Sequence, residues 1–353
     1  MNILLVIPKS HSTGVTNFTM NLAHSMREKG NHVVILFLEK QGQQQPIEAD
    51  MYFVPYRYSN IIGNVLYMLK MIASEEIKIV HFHALKSILL FPFLRVLNCI
   101  SRLNFDAFAT AHNKGFPDYS QEYGALKGHI LTFIENRIFR MKNIHVIAVS
   151  HAVQQSLKNR GIHAKTIYNG VKMPKDNIAL DINQFTSKPR YVVLSRLIVR
   201  KNVQFLISFF QSHQPDDSLF IVGSGPELVA LQEQAKSNPN ICFRGEKQNV
   251  YDELKKYQVF LSASRDEGLP IAAIEAMAMN MVLILSDIPE HRELKIMSEQ
   301  PIYFFKNELD LAVCFQKVQA SHHSDDNYQV ASQFFNMAVT ADKYLRFYQQ
   351  RQA

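Results

Sequence analysis

The chain of 353 residues is long enough for two domains with substantial cores, since one domain usually holds about 100–200 residues. Its hydrophobic content of 47% excludes wholesale disorder, and the composition fits neither a collagen, nor a coiled coil, nor a disulfide scaffold. Residues 1–170 hold 18 Lys and Arg against 10 Asp and Glu, whereas the remainder holds 20 against 21. We therefore expect the first half to meet nucleic acid, an anionic lipid surface or a phosphate-bearing substrate. Nucleic acid ranks lowest, because the chain has no arginine-rich run or nucleic-acid motif.

Cysteine usage and the apolar segments indicate the compartment. Cys99, Cys242 and Cys314 form no CxxC pair and no zinc spacing, and their apolar neighbours predict buried thiols in a reducing environment. The amino-terminal MNILLVIP lacks the basic segment of a signal peptide, and the apolar stretch from Ser87 to Ile100 is too short to span a bilayer. We expect a soluble, cytoplasmic protein, with attachment to the membrane surface left open.

In the first half, short β-branched apolar segments alternate with longer amphipathic ones, which is typical of βαβ units around a parallel sheet. The predicted strands are Asn2–Ile7, His32–Leu38, Met51–Pro55, Ile77–Phe82, Ala107–Ala111, His145–Val149 and Lys165–Tyr168. The predicted helices include Asn17–Lys29, Ile61–Ser74 and Leu126–Arg140.

A second α/β series follows a segment, 173–189, whose prolines and scattered charges predict a linker. Its predicted strands are Tyr191–Ser195, Leu219–Val222, Ile241–Arg244, Val259–Ser262 and Val282–Ser286, and its predicted helices are Asn202–Ser212, Pro226–Ser237, Val250–Lys256, Pro270–Met279 and a terminal Ala331–Gln350. We predict two Rossmann-like domains, 1–172 and 190–330, facing each other across a cleft, and a helix within 331–353 that packs back on the first domain. Ligands bind at the carboxyl ends of such sheets.

The strongest motif, RDEGLPIAAIEAMA at 265–278, follows an apolar strand and opens a helix. Gly268 allows close backbone approach, Pro270 suits a first helical turn, and the free N–H groups of a helix start bind anions. Glu267 would face the cleft, and Glu275 would point at a hydroxyl-rich ligand across the helix end. This arrangement suits a sugar joined to a phosphate, while a capping glutamate and a surface glutamate are the structural alternative.

Two further motifs in the second half follow strands. In SRLIVRKN at 195–202, Arg196 and Lys201 lie where cations would neutralise a diphosphate, and Asn202 would cap the next helix. A solvated basic loop is the alternative, and it is favoured for such a loop taken alone. GSGPE at 223–227 lacks the third glycine of a dinucleotide fingerprint, but Gly223 suits a tight turn that lines a nucleotide pocket.

In the first half, Thr13 and Gly14 follow the first strand and would either approach a phosphate or cap a helix. His112 ends a strand and would face the cleft or pack in the core, with packing favoured. His81 and His83 share one side of a strand, but no further metal ligand is evident, so polar lining or packing is favoured for them. No nucleophile elbow, P-loop or HExxH motif is present.

Together, these residues resemble the retaining glycosyltransferases of family 4, whose fold is called GT-B. The resemblance rests on the two Rossmann-like halves, the Arg196 and Lys201 pair, the GSGPE turn, and the E-x7-E spacing of Glu267 and Glu275. The first half is matched only by the order of its elements and by His112. Residues 287–293 depart from the family, since many relatives carry a glycine-rich loop there, near the donor.

The resemblance implies a nucleotide-diphosphate sugar as donor, held mainly by the second domain, and neither a metal nor any other cofactor. Under this resemblance, Arg196 and Lys201 bind the diphosphate, and Glu267 and the amides of Gly268 and Leu269 bind the transferred sugar. Glu275 binds the ribose, and Arg244 and Lys247 lie near the base. Gly223, Thr13 and Gly14 line the donor site, and His112 reaches the donor sugar. Glu267, His112, Arg196 and Lys201 would then be the catalytic set.

The implied function is retaining sugar transfer to a carbohydrate or lipid-linked hydroxyl acceptor on the basic first domain, in surface polysaccharide, lipopolysaccharide or glycolipid synthesis. The segment LLFPFLRVL at 89–97 fits either docking on an anionic membrane surface or a buried helix, and the buried helix is favoured. The alternatives are a sugar-nucleotide epimerase, isomerase or phosphorylase on a similar fold, and a non-catalytic sugar-nucleotide-binding protein.

Overall fold

A computed structural model describes residues 1–9, 14–39, 50–53, 60–174, 189–214, 216–320 and 326–352. The chain divides into two compact units, each described here by itself. Unit 1 comprises Met1–Lys172 together with Asn336–Ala353, and unit 2 comprises Met173–Phe335. Most of the predicted linker, as well as Thr13, lies outside the described residues.

Unit 1 is built on a seven-stranded, all-parallel sheet in the order β3-β2-β1-β4-β5-β6-β7. Its strands are β1 Asn2–Lys9, β2 His32–Glu39, β3 Asp50–Phe53, β4 Ile79–His83, β5 Asp106–Ala111, β6 Ile144–Ala148 and β7 Ala164–Thr166. Its first helices are α1 Gly14–Glu28, α2 Ile61–Ser74, α3 Leu85–Ile88, α4 Phe91–Ser101, α5 Phe116–Tyr123, α6 Ala125–Phe139 and α7 His151–Asn159. The central strands are runs of buried apolar residues, as expected for a sheet covered on both faces.

Unit 2 holds a six-stranded parallel sheet in the order β10-β9-β8-β11-β12-β13. Its strands are β8 Tyr191–Leu194, β9 Leu219–Val222, β10 Ile241–Gly245, β11 Val259–Ser262, β12 Val282–Ser286 and β13 Ile302–Phe305. Its helices are α8 Val203–His213, α9 Leu228–Ala235, α10 Val250–Leu254, α11 Ile271–Ala278, α12 Pro289–Arg292, α13 Glu308–Ala320 and α14 Asp326–Phe334. Each strand predicted from the sequence overlaps an observed strand, and β13 was missed.

The final helix, α15 Met337–Gln352, returns to unit 1 and packs against α1. The prediction of one helix over 331–350 was wrong, because Phe335 and Asn336 separate α14 from α15. Asn336 pairs with Val171 in an isolated bridge, and the Met337 N–H donates to the Val171 carbonyl over 2.9 Å. The chain therefore passes from unit 2 back to unit 1 at this point.

The favoured buried helix at 89–97 is corrected by α4, which is a helix with one exposed face. Phe91 and Leu94 are buried, whereas Phe93, Val96 and Ile100 are exposed by 45%, 68% and 81%. These three positions fall on one helical face, and the apolar character of both faces hid this from the sequence. Among the described residues, no helix combines the length and the apolarity needed to cross a bilayer.

Two local expectations also failed. The cysteines are not all buried: Cys314 is buried, Cys242 is half-buried and Cys99 lies exposed on α4. Asn202 precedes α8, but its side chain does not cap that helix, because its backbone is left-handed at φ 53°. Its Oδ1 instead accepts a hydrogen bond from the Arg265 guanidinium at 3.1 Å.

Candidate functional site

The candidate site of unit 2 lies at the carboxyl ends of the adjacent strands β8 and β11. A 3-10 turn, Val199–Lys201, follows β8, and the DEGLP segment follows β11. Two hydrogen bonds join the segments: the Arg265 N–H donates to the Arg200 carbonyl over 2.9 Å, and the Arg200 guanidinium donates to the Asp266 carbonyl over 2.8 Å. These bonds hold the cationic side chains of Arg200 and Lys201 close to Glu267, the acidic residue that follows Asp266.

Glu267 is the buried carboxylate of this site, with a side chain only 6% exposed. One carboxylate oxygen accepts a hydrogen bond from the Lys201 ammonium, and the other lies 3.5 Å from Nη1 of Arg200. Burial alone would raise the pKa of Glu267, but Lys201 and Arg200 outweigh it and hold this pKa below its usual value. Glu267 is therefore an ionised hydrogen-bond acceptor at neutral pH. Sequence reasoning gave Arg200 no role.

Arg196 lies on an exposed loop that is fixed by its neighbours. The Leu197 N–H donates to the Ser224 carbonyl over 2.8 Å, and the Leu197 carbonyl accepts from the Glu227 N–H over 3.1 Å. Across the part of the chain that the structure describes, the Arg196 guanidinium forms no hydrogen bond or ion pair. A held backbone with an uncommitted cation suits recognition of an anion.

Gly223 and its neighbour Gly225 allow this close packing of loops. A Cβ atom on Gly223 would lie 1.9 Å from the Ser195 carbonyl oxygen, and one on Gly225 would lie 2.2 Å from the Leu197 carbonyl oxygen. Only glycine fits at such distances. Backbone packing therefore explains these glycines without a ligand.

The loop that leads into α11 contributes backbone donors. Gly268 and Leu269 are buried, and among the described residues neither of their N–H groups has a hydrogen-bond acceptor. Ser195 Oγ is likewise buried without a partner within the described ranges. A cavity of about 20 Å³, lined among others by Ser195, Lys201 and Glu267, holds about one water molecule. Buried donors without acceptors are rare in proteins, so a ligand or a water molecule is expected to supply the acceptor here.

His291 is a further member of the site, and the sequence interpretation assigned it no role. Its Nδ1 lies 2.8 Å from the Ser286 carbonyl oxygen, which can only accept, so Nδ1 carries the proton. Nε2 is then a buried acceptor, and it has no partner among the described residues. Burial lowers the pKa of His291 to about 4, although Glu267 partly opposes this shift. The ring is therefore neutral at pH 7, and it comes from the segment 287–293 that departs from the resembled family.

Glu275 occupies the inner part of α11 and differs from Glu267 in its electrostatics. Burial raises the pKa of Glu275 to about 7, and the side chain forms no hydrogen bond within the described ranges. Burial raises the pKa of Tyr251 of α10, and the nearby charge of Glu275 raises it further. Glu275 is thus a half-buried carboxyl group available to ligand hydroxyls.

Arg244 and Lys247 lie at the carboxyl end of the edge strand β10. Both are exposed, and the Arg244 guanidinium lies 5.0 Å from the centre of the Phe220 ring. Two strand spacings separate β10 from β8, which amounts to about 10 Å. The two cations therefore belong to the same sheet edge as Lys201 but do not contact its ion pair.

In unit 1, His112 directly follows β5 and is half-buried. Its Nε2 lies 3.3 Å from Nδ1 of His83, and its ring packs edge-on to Phe18, 5.9 Å away. Burial lowers the pKa of His112 to about 3, so the imidazole is neutral. Gly14, one turn before Phe18, is exposed with open space at its Cβ position. Thr13 lies outside the described residues.

The favoured packing interpretation of His81 and His83 agrees with their environment. Both are fully buried, and burial lowers the pKa of each. His81 lies 2.5 Å from the Tyr348 hydroxyl through Nδ1 and 2.8 Å from Thr110 Oγ1 through Nε2. His81 thus fastens α15 to the sheet. Among residues described by the structure, no group of three or more His, Cys, Asp and Glu could hold a metal ion.

Comparison with known proteins matches both halves of the chain to family models. Residues 12–173 match the model described as "Glycosyltransferase Family 4", and residues 188–312 match "Glycosyl transferases group 1". The capsular polysaccharide biosynthesis glycosyltransferase CapH of Staphylococcus aureus is 27% identical over 241 residues, which is 64% of this chain and 64% of CapH. The O-antigen biosynthesis glycosyltransferase WbnH of Escherichia coli is 37% identical over 134 residues, covering 35% of this chain and 38% of WbnH. The matches therefore span less than two thirds of these relatives' lengths.

Among solved structures, Anabaena HepE in complex with UDP superimposes with a TM-score of 0.77 at 15% identity, covering 99% of this chain and 100% of HepE. This likeness concerns the fold, and it confirms the expected GT-B architecture of two Rossmann-like domains. The two family models together account for most of the chain, which combines a glycosyltransferase family 4 domain with a glycosyl transferases group 1 domain in the GT-B fold.

Proposed function

We propose that this protein transfers a sugar from a nucleotide-diphosphate sugar to a hydroxyl acceptor, with retention of configuration, in the synthesis of a surface polysaccharide or glycolipid. The observation that carries the proposal is the buried Glu267 carboxylate, locked to Lys201 beside the uncommitted amides of Gly268 and Leu269. Cations and free backbone amides suit a diphosphate, and an ionised carboxylate suits sugar hydroxyls. The names of CapH and WbnH support the polymer class.

In this proposal, Arg196 and Lys201 bind the donor diphosphate and stabilise the negative charge that grows on it as the glycosidic bond breaks. Arg196 has no other partner among the described residues, so its whole charge is available to the leaving group. Arg200 remains with Glu267, which leaves Lys201 able to serve both the carboxylate and the phosphate. The cations at this edge thus outnumber the single carboxylate that they surround.

We assign Glu267 to hydroxyls of the transferred sugar rather than to covalent attack. A carboxylate that hydrogen-bonds to one cation and lies beside another has a lowered basicity, which disfavours it as a nucleophile. The retaining step is then a same-face exchange at the anomeric carbon. The bond to the diphosphate oxygen breaks, the bond to the acceptor oxygen forms, and the acceptor proton passes to the leaving phosphate.

We further propose that Glu275 binds the ribose and that Arg244 and Lys247 flank the base. Glu275 is half-buried with a raised pKa, so it engages hydroxyls in either protonation state. The spacing of about 10 Å between β8 and β10 is compatible with a nucleoside that extends from the diphosphate along the sheet edge. The UDP in the HepE structure makes a uridine donor the first to test.

For unit 1 we propose that His112, Gly14 and Thr13 contact the donor, and that the acceptor is a carbohydrate or lipid-linked molecule. The open space at Gly14 and the neutral ring of His112 suit close approach of an uncharged sugar. No role in binding nucleic acid is proposed.

Unit 1 also has the features of a peripheral membrane surface. Apolar side chains are exposed on three of its helices: Ile61, Ile62 and Leu66 on α2, Phe93, Val96 and Ile100 on α4, and Leu126, Ile130 and Phe133 on α6. Exposed Lys127 and Arg137 lie on α6 as well. Helices α2 and α4 pack against each other, and exposed apolar side chains accompanied by cations favour the interface of an anionic bilayer. We therefore propose that this face docks on the inner surface of the cell membrane.

Nucleoside diphosphate release from a panel of nucleotide sugars, with and without lipid-linked acceptors, tests the transfer. We expect release that depends on the acceptor and falls at least about a hundredfold in Arg196→Ala, the loss typical of one leaving-group donor. Lys236→Ala, which removes an exposed cation directly after α9, is the matched control. A changed sugar without acceptor would indicate an epimerase or phosphorylase, and binding without release would indicate a binding protein.

Co-flotation with vesicles tests the membrane proposal. We expect the protein to float with phosphatidylglycerol vesicles, and Val96→Asp to weaken this. Val229→Asp in unit 2 is the control, since Val229 is exposed by 76% outside the proposed face. Equal flotation of the two variants would contradict the assignment of this face.

A further inference from the structure

A second pocket lies wholly within unit 1, beside the edge strand β7, and shares no lining residue with the candidate site. Its volume is about 330 Å³, and it is bordered by β7, by the start of α7 and by the last three turns of α15. Three of its lining residues are cationic (Lys165, Lys343 and Arg346), and none is acidic.

The pocket follows from how α15 passes the end of the sheet. Lys165 of β7 pairs in register with Ile147 of β6, so both side chains project from the same face of the sheet. Ile147 is buried in the core together with residues of α15, whereas β7 is short and lies at the sheet edge. The α15 residues at the pocket are spaced i, i+3, i+4 and i+7 from Lys343, which is one helical face.

The positive charge of this pocket is not compensated from within the protein. Within the described ranges, Lys165, Lys343 and Arg346 form no ion pair or side-chain hydrogen bond. The nearest acidic residue along α15, Asp342, is paired with Lys29 over 2.8 Å. Lys343 is half-buried, and this burial lowers the pKa of its ammonium.

The remaining walls are suited to a ring beside the charge. Tyr168 and Phe347 line the pocket, and His151 begins α7, whose amino-terminal end carries the positive end of the helix dipole. Aromatic faces next to cations favour an anionic group that is attached to a ring.

We propose that this pocket is a second anion site, which binds a phosphate or diphosphate group carried by a carbohydrate or by a lipid headgroup. Lys165, Lys343 and Arg346 bind the phosphate oxygens, and Tyr168 and Phe347 pack against the attached moiety. This pocket shares no residue with the proposed donor site, so the two sites are independent.

The absence of tryptophan from the sequence allows a specific reporter of this pocket. In the full chain, Tyr168→Trp introduces a single indole at the pocket wall, and its fluorescence is titrated with inorganic pyrophosphate, with glucose 1-phosphate and with phosphatidylglycerol vesicles. We expect a saturable change with at least one of them. Lys343→Ala combined with Arg346→Ala should weaken it by about tenfold or more, the loss of one charge-assisted hydrogen bond.

Two controls separate this site from its surroundings. Lys236→Ala in the same background removes an exposed cation of unit 2 and should leave the titration unchanged, whereas an equal loss would show attraction by net charge alone. Arg196→Ala removes the proposed donor contact and should also leave the titration unchanged. The result at this pocket therefore holds even if the proposed function fails. A soluble ligand alone indicates a free phosphate, and vesicles alone indicate a headgroup. No response to any of the three, or equal binding after the double substitution, overturns the proposal.

Discussion

Removing the Lys201 ammonium gives the most informative test of the candidate site. Lys201→Ala leaves the Glu267 carboxylate buried, with its hydrogen-bonded counter-ion gone and Arg200 still 3.5 Å from its other oxygen. The substitution also deletes a proposed contact to the donor diphosphate. It therefore predicts two separate losses, one of stability and one of activity.

We expect Lys201→Ala to destabilise unit 2 by about 2 kcal/mol. Breaking a buried ion pair by removing one partner costs about 3–5 kcal/mol, since the other charge stays buried. The loss here is smaller because Arg200 remains and because the Lys201 side chain is 18% exposed, so water reaches the space that it leaves. Glu267→Gln removes the buried charge itself, and it leaves Lys201 able to turn towards solvent.

The double variant Lys201→Ala, Glu267→Gln distinguishes the two losses. We expect it to recover most of the stability lost in Lys201→Ala, because no buried charge remains without a counter-ion. Activity should stay low, since both proposed donor contacts are absent. Urea denaturation followed by circular dichroism gives the shift of the transition midpoint, which is the appropriate readout for a chain of two units. Nucleoside diphosphate release gives the activity.

The pH dependence of this set has a definite sign. The pKa of Glu267 is lowered in the folded protein, so the carboxylate contributes stability above its unfolded pKa, and this contribution is lost as pH falls through the folded value. In Lys201→Ala, burial is opposed by fewer charges, and we expect the pKa of Glu267 to rise. The variant should then lose less stability on acidification than the parent.

Stability losses that simply add in the double variant, within about 0.5 kcal/mol, would refute the ion-pair reasoning.

Three further predictions concern residues whose environments differ. Glu275 has a pKa raised to about 7 by burial, so folding becomes less favourable as pH rises between its unfolded value and 7. Glu275→Gln should therefore stabilise the protein by about 1–3 kcal/mol at pH 8 and flatten this part of the pH–stability curve; an unchanged curve would contradict the burial of that charge. Gly225→Ala should destabilise the protein by several kcal/mol or prevent folding, because its Cβ would lie 2.2 Å from a backbone oxygen, whereas Gly14→Ala should leave thermal stability within about 0.5 kcal/mol. Equal melting temperatures of the two glycine variants would show that the loops can move apart to accept the added methyl group, contrary to the close packing in the structure. Tyr348→Phe should lower stability by about 1–3 kcal/mol, since it leaves a buried imidazole nitrogen without its 2.5 Å partner; an unchanged urea midpoint would argue against that hydrogen bond.

Local patterns in the sequence were enough for the strands and for the start of α11. The apolar runs of the two sheets and the glycine and proline of the DEGLP segment act through neighbours a few residues away. The helix at α4 was also evident, but its orientation was not. Its residues are apolar on both faces, so periodicity alone could not show that Val96 and Ile100 point outwards.

The interactions that define the candidate site are long-range, and this explains what the sequence missed. Lys201 and Glu267 are 66 residues apart, and their contact depends on β8 and β11 being neighbours in the sheet. Once that adjacency is known, Arg200 follows as a second cation, because its backbone is tied to the same loop. His291 had no comparable signal: it lies in a segment that departs from the family pattern, and only the fold shows that its ring approaches Glu267. A motif search thus finds the residues whose role depends on a strand end or a helix start, whereas their charge partners require knowledge of the strand order.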